Sequence, residues 1–185
     1  SNKYVEEGFA VERPADPTRE ATVEYTYEFA GWLLNGMPYN FDSAVTDNIT
    51  LIAKWTSVKN TYTVTFDSNG GTAIDGETKP YGMVFTKPND PTKEATVEYT
   101  FTFAGWLLDG EDYNFETLIT GNITLVAKWN EIKNTYTVTF NADGGTTEDS
   151  QTVEYGLTFS EPTAPEKQAT AEYTFTFAGW LLDGE

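Results

Sequence analysis

An uninterrupted internal period limits the possible folds of this chain more than any other feature. The hexapeptide Phe-Ala-Gly-Trp-Leu-Leu starts at Phe29, Phe103 and Phe177, two steps of 74 residues. The same step carries Asn60–Phe66 onto Asn134–Phe140, Asn48–Leu51 onto Asn122–Leu125, and Lys54-Trp55 onto Lys128-Trp129. Gly8, Gly82 and Gly156 keep the register as well. A fixed period without insertions predicts a tandem array of one supersecondary unit. The 185 residues hold two and a half copies. They divide into a partial copy over 1–55 without its first strand, a complete copy over 60–129, and a partial copy over 134–185 without its last strand.

A 74-residue unit buries only about 60% of its unfolded surface, so its core must come from large side chains. Aromatic residues make up 15% of the chain, and each can bury roughly 150–250 Å². The sequence contains no Cys and no His. This removes disulfides, thiol nucleophiles, Ser-His-Asp triads and common zinc sites, and no cofactor is expected. Twenty-nine acidic residues against 11 basic give a net charge of −18, which repels nucleic acid and anionic lipid. The acids are spread along the chain and read as solvated faces. No stretch approaches the roughly 20 apolar residues that span a bilayer, so no membrane insertion is expected. No secretory leader is visible. Ser1-Asn2 reads as a tag remnant, and the chain as a fragment of a longer polypeptide that carries its own export signal and anchor.

Within the complete copy, strict alternation predicts strands. Tyr62, Val64 and Phe66 point one way and Thr61, Thr63 and Thr65 the other. Asn69-Gly70, matched by Asp143-Gly144, supplies a turn with positive φ. A second strand is expected through Tyr81, Met83 and Phe85, stopped by Pro88. The longest strand is expected over 95–103, with Val97, Tyr99, Phe101 and Phe103 on one face. Trp106 breaks that parity, which predicts a β-bulge or bend at Ala104-Gly105. Asp109-Gly110 closes a hairpin or starts a loop, and Tyr113, Phe115 and Leu118 fit a loop or one helical turn. A last strand over 123–129 puts Ile123, Leu125, Ala127 and Trp129 on one face. Residues 130–133 then form a short linker, which favours a stiff, elongated array.

Four ordered motifs at one period resemble the Listeria–Bacteroides repeat, the B repeat of internalin-type surface proteins. They are Thr63–Gly71, Pro91–Glu94, Phe103–Trp106 and Ile119–Trp129. The resemblance implies a mainly β (α+β), β-grasp-like, ubiquitin/SUMO-like module in tandem. It also implies an extracellular, secreted or wall-attached bacterial protein in which such modules serve as stalks or in adhesion. The family has no shared catalytic residues to carry over. One departure stands out. Ala95–Glu98, with its matches Ala21–Glu24 and Ala169–Glu172, intervenes where the family runs almost directly from Pro-Thr-Lys-Glu into the Phe-Ala-Gly-Trp strand.

The repeated residues that invite a functional reading are Gly31-Trp32, Gly105-Trp106 and Gly179-Trp180 at the bend, and Trp55 and Trp129 ending a strand. Exposed indoles would stack on sugars. A unit poor in aliphatics instead needs these rings inside, and core packing is the favoured reading. Cation–π contacts from Lys54 and Lys128 are disfavoured, because adjacent strand residues point apart. Asp67, Asn69 and Asp75 could suggest Ca²⁺, but Gly71 takes the place of the third acidic ligand of an EF-hand loop, and a plain turn suffices. Asn48-Ile49-Thr50 and Asn122-Ile123-Thr124 fit the glycosylation sequon and are read as turns that start strands. With 29 acids, some pair of carboxylates is always at hand for glycoside hydrolysis, so that signal carries no weight. The partners consistent with this reading are host or cell-surface proteins, glycans, and other copies pairing through open sheet edges.

Overall fold

The computed structural model describes residues 3–146 and 149–182; Ser1-Asn2 lies outside them. The described residues form β1 (Tyr25–Leu34), β2 (Met37–Pro38), β3 (Ile52–Lys59), β4 (Thr61–Asp67), β5 (Glu77–Pro80), β6 (Tyr99–Leu108), β7 (Glu111–Asp112), β8 (Ile123–Lys133), β9 (Thr135–Val138) and β10 (Gln151–Glu154). No helix occurs among them, so the fold is mainly β, and Tyr113–Leu118 is a loop with a turn. The strands make three sheets, ordered β2-β1-β3, β5-β4-β8-β6-β7 and β10-β9. In the five-stranded sheet β4 and β8 run parallel, with Val64 opposite Ile123 and Asp67 opposite Val126. Strands β4 and β5 are antiparallel, as are β6 and β7.

By contacts the chain falls into two units. One comprises residues 1–68, 73–89 and 106–126, the other 69–72, 90–105 and 127–185. In the first, alternation along β4 and β8 buries Val64, Phe66 and Leu125, and Leu125 has no exposed surface. Trp106, 3% exposed, meets Phe66 edge-on at 4.9 Å between ring centroids. Phe85 and Ile119 close this core from loops. Their loops are stitched together as the Gly82 amide donates to the Ile119 carbonyl (2.8 Å) and the Ile119 amide to the Met83 carbonyl (2.7 Å). The first copy repeats the stitch, with the Gly8 amide on the Val45 carbonyl and the Val45 amide on the Phe9 carbonyl. In the second unit, Ala127 is buried and β9 pairs with β10, Val138 opposite Gln151.

The bend beside the repeated tryptophans is a bulge. In the first copy the ladder of β1 on β3 slips between Phe29 and Gly31. Gly31, Gly105 and Gly179 have φ of 120°, 143° and 138°, a region that a side chain makes costly. The extra residue resets the parity, so the tryptophan lands on the face of the preceding phenylalanine.

Three expectations are corrected. Tyr81, Met83 and Phe85 do not form a strand; the second strand of the complete copy is β5, earlier in the chain. Alternation there is misleading, because only Phe85 of the three is buried and its segment is held by loop bonds. Second, β6 starts at Tyr99, not Ala95. The Thr96 hydroxyl accepts from the Tyr99 amide at 2.9 Å and the Thr96 amide donates to the Tyr99 carbonyl at 2.8 Å. This closes a turn that competes with the strand and leaves Val97 67% exposed. Third, residues 130–133 are not a loop linker but the end of β8, the longest strand at 11 residues. In the first copy the matching extension of β3 pairs with the start of β1, Lys59 opposite Tyr25 and Val58 opposite Thr26.

Candidate functional site: aromatic rows and repeat junctions

Along β1, Tyr25, Tyr27 and Phe29 share the less exposed face, and Tyr99, Phe101 and Phe103 do so along β6. Phe29 meets Trp55 edge-on at 5.7 Å and Trp32 at 5.5 Å. Phe103 meets Trp129 in the same way at 5.6 Å. In the third copy Trp180 lies against Phe177 and Phe140, each at 5.3 Å. Edge-on pairs of this kind add to simple burial. None of the five tryptophans is among the exposed side chains; Trp106 is buried and the others are half-buried.

A cation from the preceding loop covers the middle ring of the β1 and β6 rows and the matching ring of the third copy, which lies outside any strand; it is not Lys54 or Lys128. Arg19 sits 3.8 Å over Tyr27, Lys93 4.4 Å over Phe101 and Lys167 5.0 Å over Phe175. Lys93 also lies 5.7 Å from the Trp129 ring. An ammonium or guanidinium over a ring face is attracted by its quadrupole, and the aliphatic stem shields the row from water.

Both turns have positive φ: Asn69 and Gly70 have φ of 47° and 85°, Asp143 and Gly144 48° and 82°. The Asn69 side-chain amide donates to the Ala127 carbonyl at 3.3 Å, which ties the turn to β8. The next residue, Gly71, is required by close approach. A Cβ there would lie 2.6 Å from Trp129 Cζ2 and 2.9 Å from the Thr92 carbonyl oxygen. No group of three or more acidic side chains among the described residues is placed to hold a metal ion.

At the start of β5, Glu77 accepts from the Thr86 amide (2.7 Å) and hydroxyl (2.8 Å) and pairs with Lys79 at 3.0 Å. Burial pushes its carboxyl up, but these hydrogen bonds and the lysine outweigh it and hold the group below its ordinary value of 4.5. In the third copy Gln151 makes the uncharged version, donating to the Ser160 carbonyl and accepting from the Ser160 amide.

The residues that sequence reasoning missed are asparagines and tyrosines. Asn122 Oδ1 accepts from the Thr63 amide at 2.8 Å, so the sequon asparagine bridges β8 to β4. Asn60 and Tyr62 bond the turn at Thr22–Glu24, and Asn134 and Tyr136 bond the turn at Thr96–Glu98. Their signal is the period itself: Asn-Thr-Tyr recurs at 60–62 and 134–136, and Ala-Thr-Val-Glu at 21–24 and 95–98.

The same period appears in comparison with known proteins. The Listeria-Bacteroides repeat domain matches residues 1–54, 62–128 and 136–185, leaving 55–61 and 129–135 between matches. The chain is 36% identical over 181 residues to a protein of Evansella cellulosilytica named "Putative membrane protein", covering 94% of this chain and 24% of that one. It is 35% identical over 191 residues to a second protein of that organism, named "Putative Gly-rich membrane protein", covering 99% of this chain and 20% of that one. It is 32% identical over 157 residues to internalin H of Listeria monocytogenes, covering 80% of this chain and 26% of internalin H. The chain thus spans about a quarter or less of the curated relatives it matches. No solved structure matches it. Three successive matches in one register cover nearly the whole sequence, and the chain belongs to the Listeria-Bacteroides repeat family.

Proposed function

We propose that this chain is a non-catalytic spacer segment of a bacterial cell-surface protein, exposed outside the cell and presenting a more distal domain. The observation that carries the reading is the uninterrupted 74-residue step, along which the repeated side chains are occupied with packing and turn formation. The likeness to internalin H supports the surface location. No helix among the described residues is long and apolar enough to cross a membrane, so the spacer reading assigns anchoring to another part of the parent protein.

The β-grasp reading of each module belongs to the same proposal. In the complete copy the sheet order is second, first, last, third, fourth strand, with the first and last strands parallel at the centre. That order and the parallel pair support a grasp, though no helix occurs among the described residues. Adhesion is the second reading, and exposed apolar side chains of the complete copy such as Met83 and Leu118 favour it.

Epitope presentation separates the two. The chain is inserted between a cell-surface anchor and an epitope tag, and antibody access is compared with that of a flexible linker of equal length. The spacer reading predicts greater access than the linker gives, with no saturable binding of the purified chain to glycans or host cells. Equal access together with saturable binding lost on Met83→Ser and Leu118→Ser would replace it with adhesion.

A further inference from the structure

The four-residue insertions at 21–24 and 95–98 each have a partner in the following repeat. At the first junction three consecutive carbonyls of the insertion accept from two residues. The Asn60 side-chain amide donates to the Thr22 carbonyl at 2.8 Å and the Val23 carbonyl at 3.1 Å. The Asn60 backbone amide donates to the Glu24 carbonyl at 2.9 Å. The Tyr62 hydroxyl donates to the Val23 carbonyl at 2.6 Å. At the second junction the same donors reach the same acceptors. Asn134 donates to the carbonyls of Thr96 (2.8 Å), Val97 (3.2 Å) and, from its backbone, Glu98 (2.8 Å). The Tyr136 hydroxyl donates to the Val97 carbonyl at 2.7 Å. Each set lies within one of the two units.

Three features show a built arrangement and not a chance contact. The acceptor turn is shaped by its own threonine, since the Tyr25 and Tyr99 amides donate to the Thr22 and Thr96 hydroxyls, each at 2.9 Å. This leaves the carbonyls of the turn facing outward as acceptors, two of them satisfied by one primary amide with two N–H donors. The asparagine is then used on its other side too: the Asn60 and Asn134 carbonyls accept from the Tyr81 and Tyr155 amides, both at 2.8 Å. Finally, Asn60 and Asn134 lie between the segments that the repeat domain matches, while the acceptor turns, Tyr62 and Tyr136 lie inside them, so the asparagine bonds run from the junction back into the preceding repeat.

We infer that Ala-Thr-(Val)-Glu and Asn-Thr-Tyr are the two halves of an interlock between consecutive repeats, so that a repeat with this insertion takes as its neighbour a following repeat that carries Asn and Tyr at these positions. Only an asparagine fits the donor position. Aspartate is isosteric but offers acceptors to acceptors, and its charge would face the carbonyl oxygens. This inference concerns how repeats join and does not rest on the spacer reading.

The test is hydrogen exchange by mass spectrometry on the whole chain, following peptides that cover 95–99 and 21–25. Asn134→Ala is expected to speed exchange at 95–99 by about tenfold, as both side-chain bonds to the Thr96 and Val97 carbonyls are lost. Asn134→Asp is expected to exceed it, while 21–25 stays as in the parent. Asn60→Ala is expected to do the converse. Tyr136→Phe keeps the ring and the fold, and should give a smaller acceleration at the same place. Exchange at 95–99 unchanged in Tyr136→Phe and in Asn134→Asp would overturn the interlock, as would changes confined to 134–140.

Discussion

At the residue scale, the complete copy concentrates its stability in a few positions that sequence alone could rank by type but not by burial. Trp106 is sealed against Phe66, whereas Trp32 and Trp180 are only half-buried. Trp106→Ala should therefore destabilise by about 3–5 kcal/mol, from lost burial and the cavity left behind, and Trp180→Ala by clearly less. Urea unfolding of the two variants checks the ranking. Gly71→Ala should cost about 1–3 kcal/mol, because its methyl would be driven into Trp129 and the Thr92 carbonyl. Glu77 makes the acid limb of the stability curve testable. Its folded carboxyl titrates below its ordinary value of 4.5, so the unfolded chain binds more protons in that range. Its contribution is complete above pH ~4.5 and fades as pH falls through the folded value. Glu77→Gln, which copies the uncharged arrangement of Gln151, should lose less stability than the parent between about pH 5 and 3, as read from urea midpoints. An identical acid slope in both would show that this carboxylate is unpaired in solution.

At the element scale, the strands that are plainest in the sequence are those whose apolar alternation is matched by burial. The alternation of β4 and the first part of β8 reads directly as buried against exposed, and the bulge at Gly105 follows from the misplaced parity of Trp106. The failures are of two kinds: alternation at 81–85 and 95–98 is overridden by loop and turn hydrogen bonds, and a strand extends where no alternation marks it. The Thr96 hydroxyl converts an apparently continuous strand into a turn, and residues 130–133 carry no alternation yet extend β8. The sequon asparagine Asn122 is likewise visible as a repeated residue, but its bond to β4 comes from a parallel pairing that no local pattern encodes. Asn122→Ala should cost about 0.5–1.5 kcal/mol and loosen amide exchange in 63–67 more than in 99–103. Equal loosening of both segments would mean that the asparagine acts on the copy as a whole and not on the β4–β8 pair.

For the molecule as a whole, the fixed step makes the family and the array legible from the residues alone, because a repeat without insertions leaves no room for a different module. The junctions are not legible in that way, since they lie where hydrophobic periodicity stops and hydrogen bonding takes over. The spacer proposal stands or falls on whether successive repeats are joined stiffly. Small-angle X-ray scattering with light scattering over a concentration series decides this. The expected result is a monomer of 20.6 kDa whose radius of gyration clearly exceeds the roughly 16 Å of a compact domain of this length, at every concentration and with little change in high salt. A radius near the compact value, or one that grows with concentration, would contradict it.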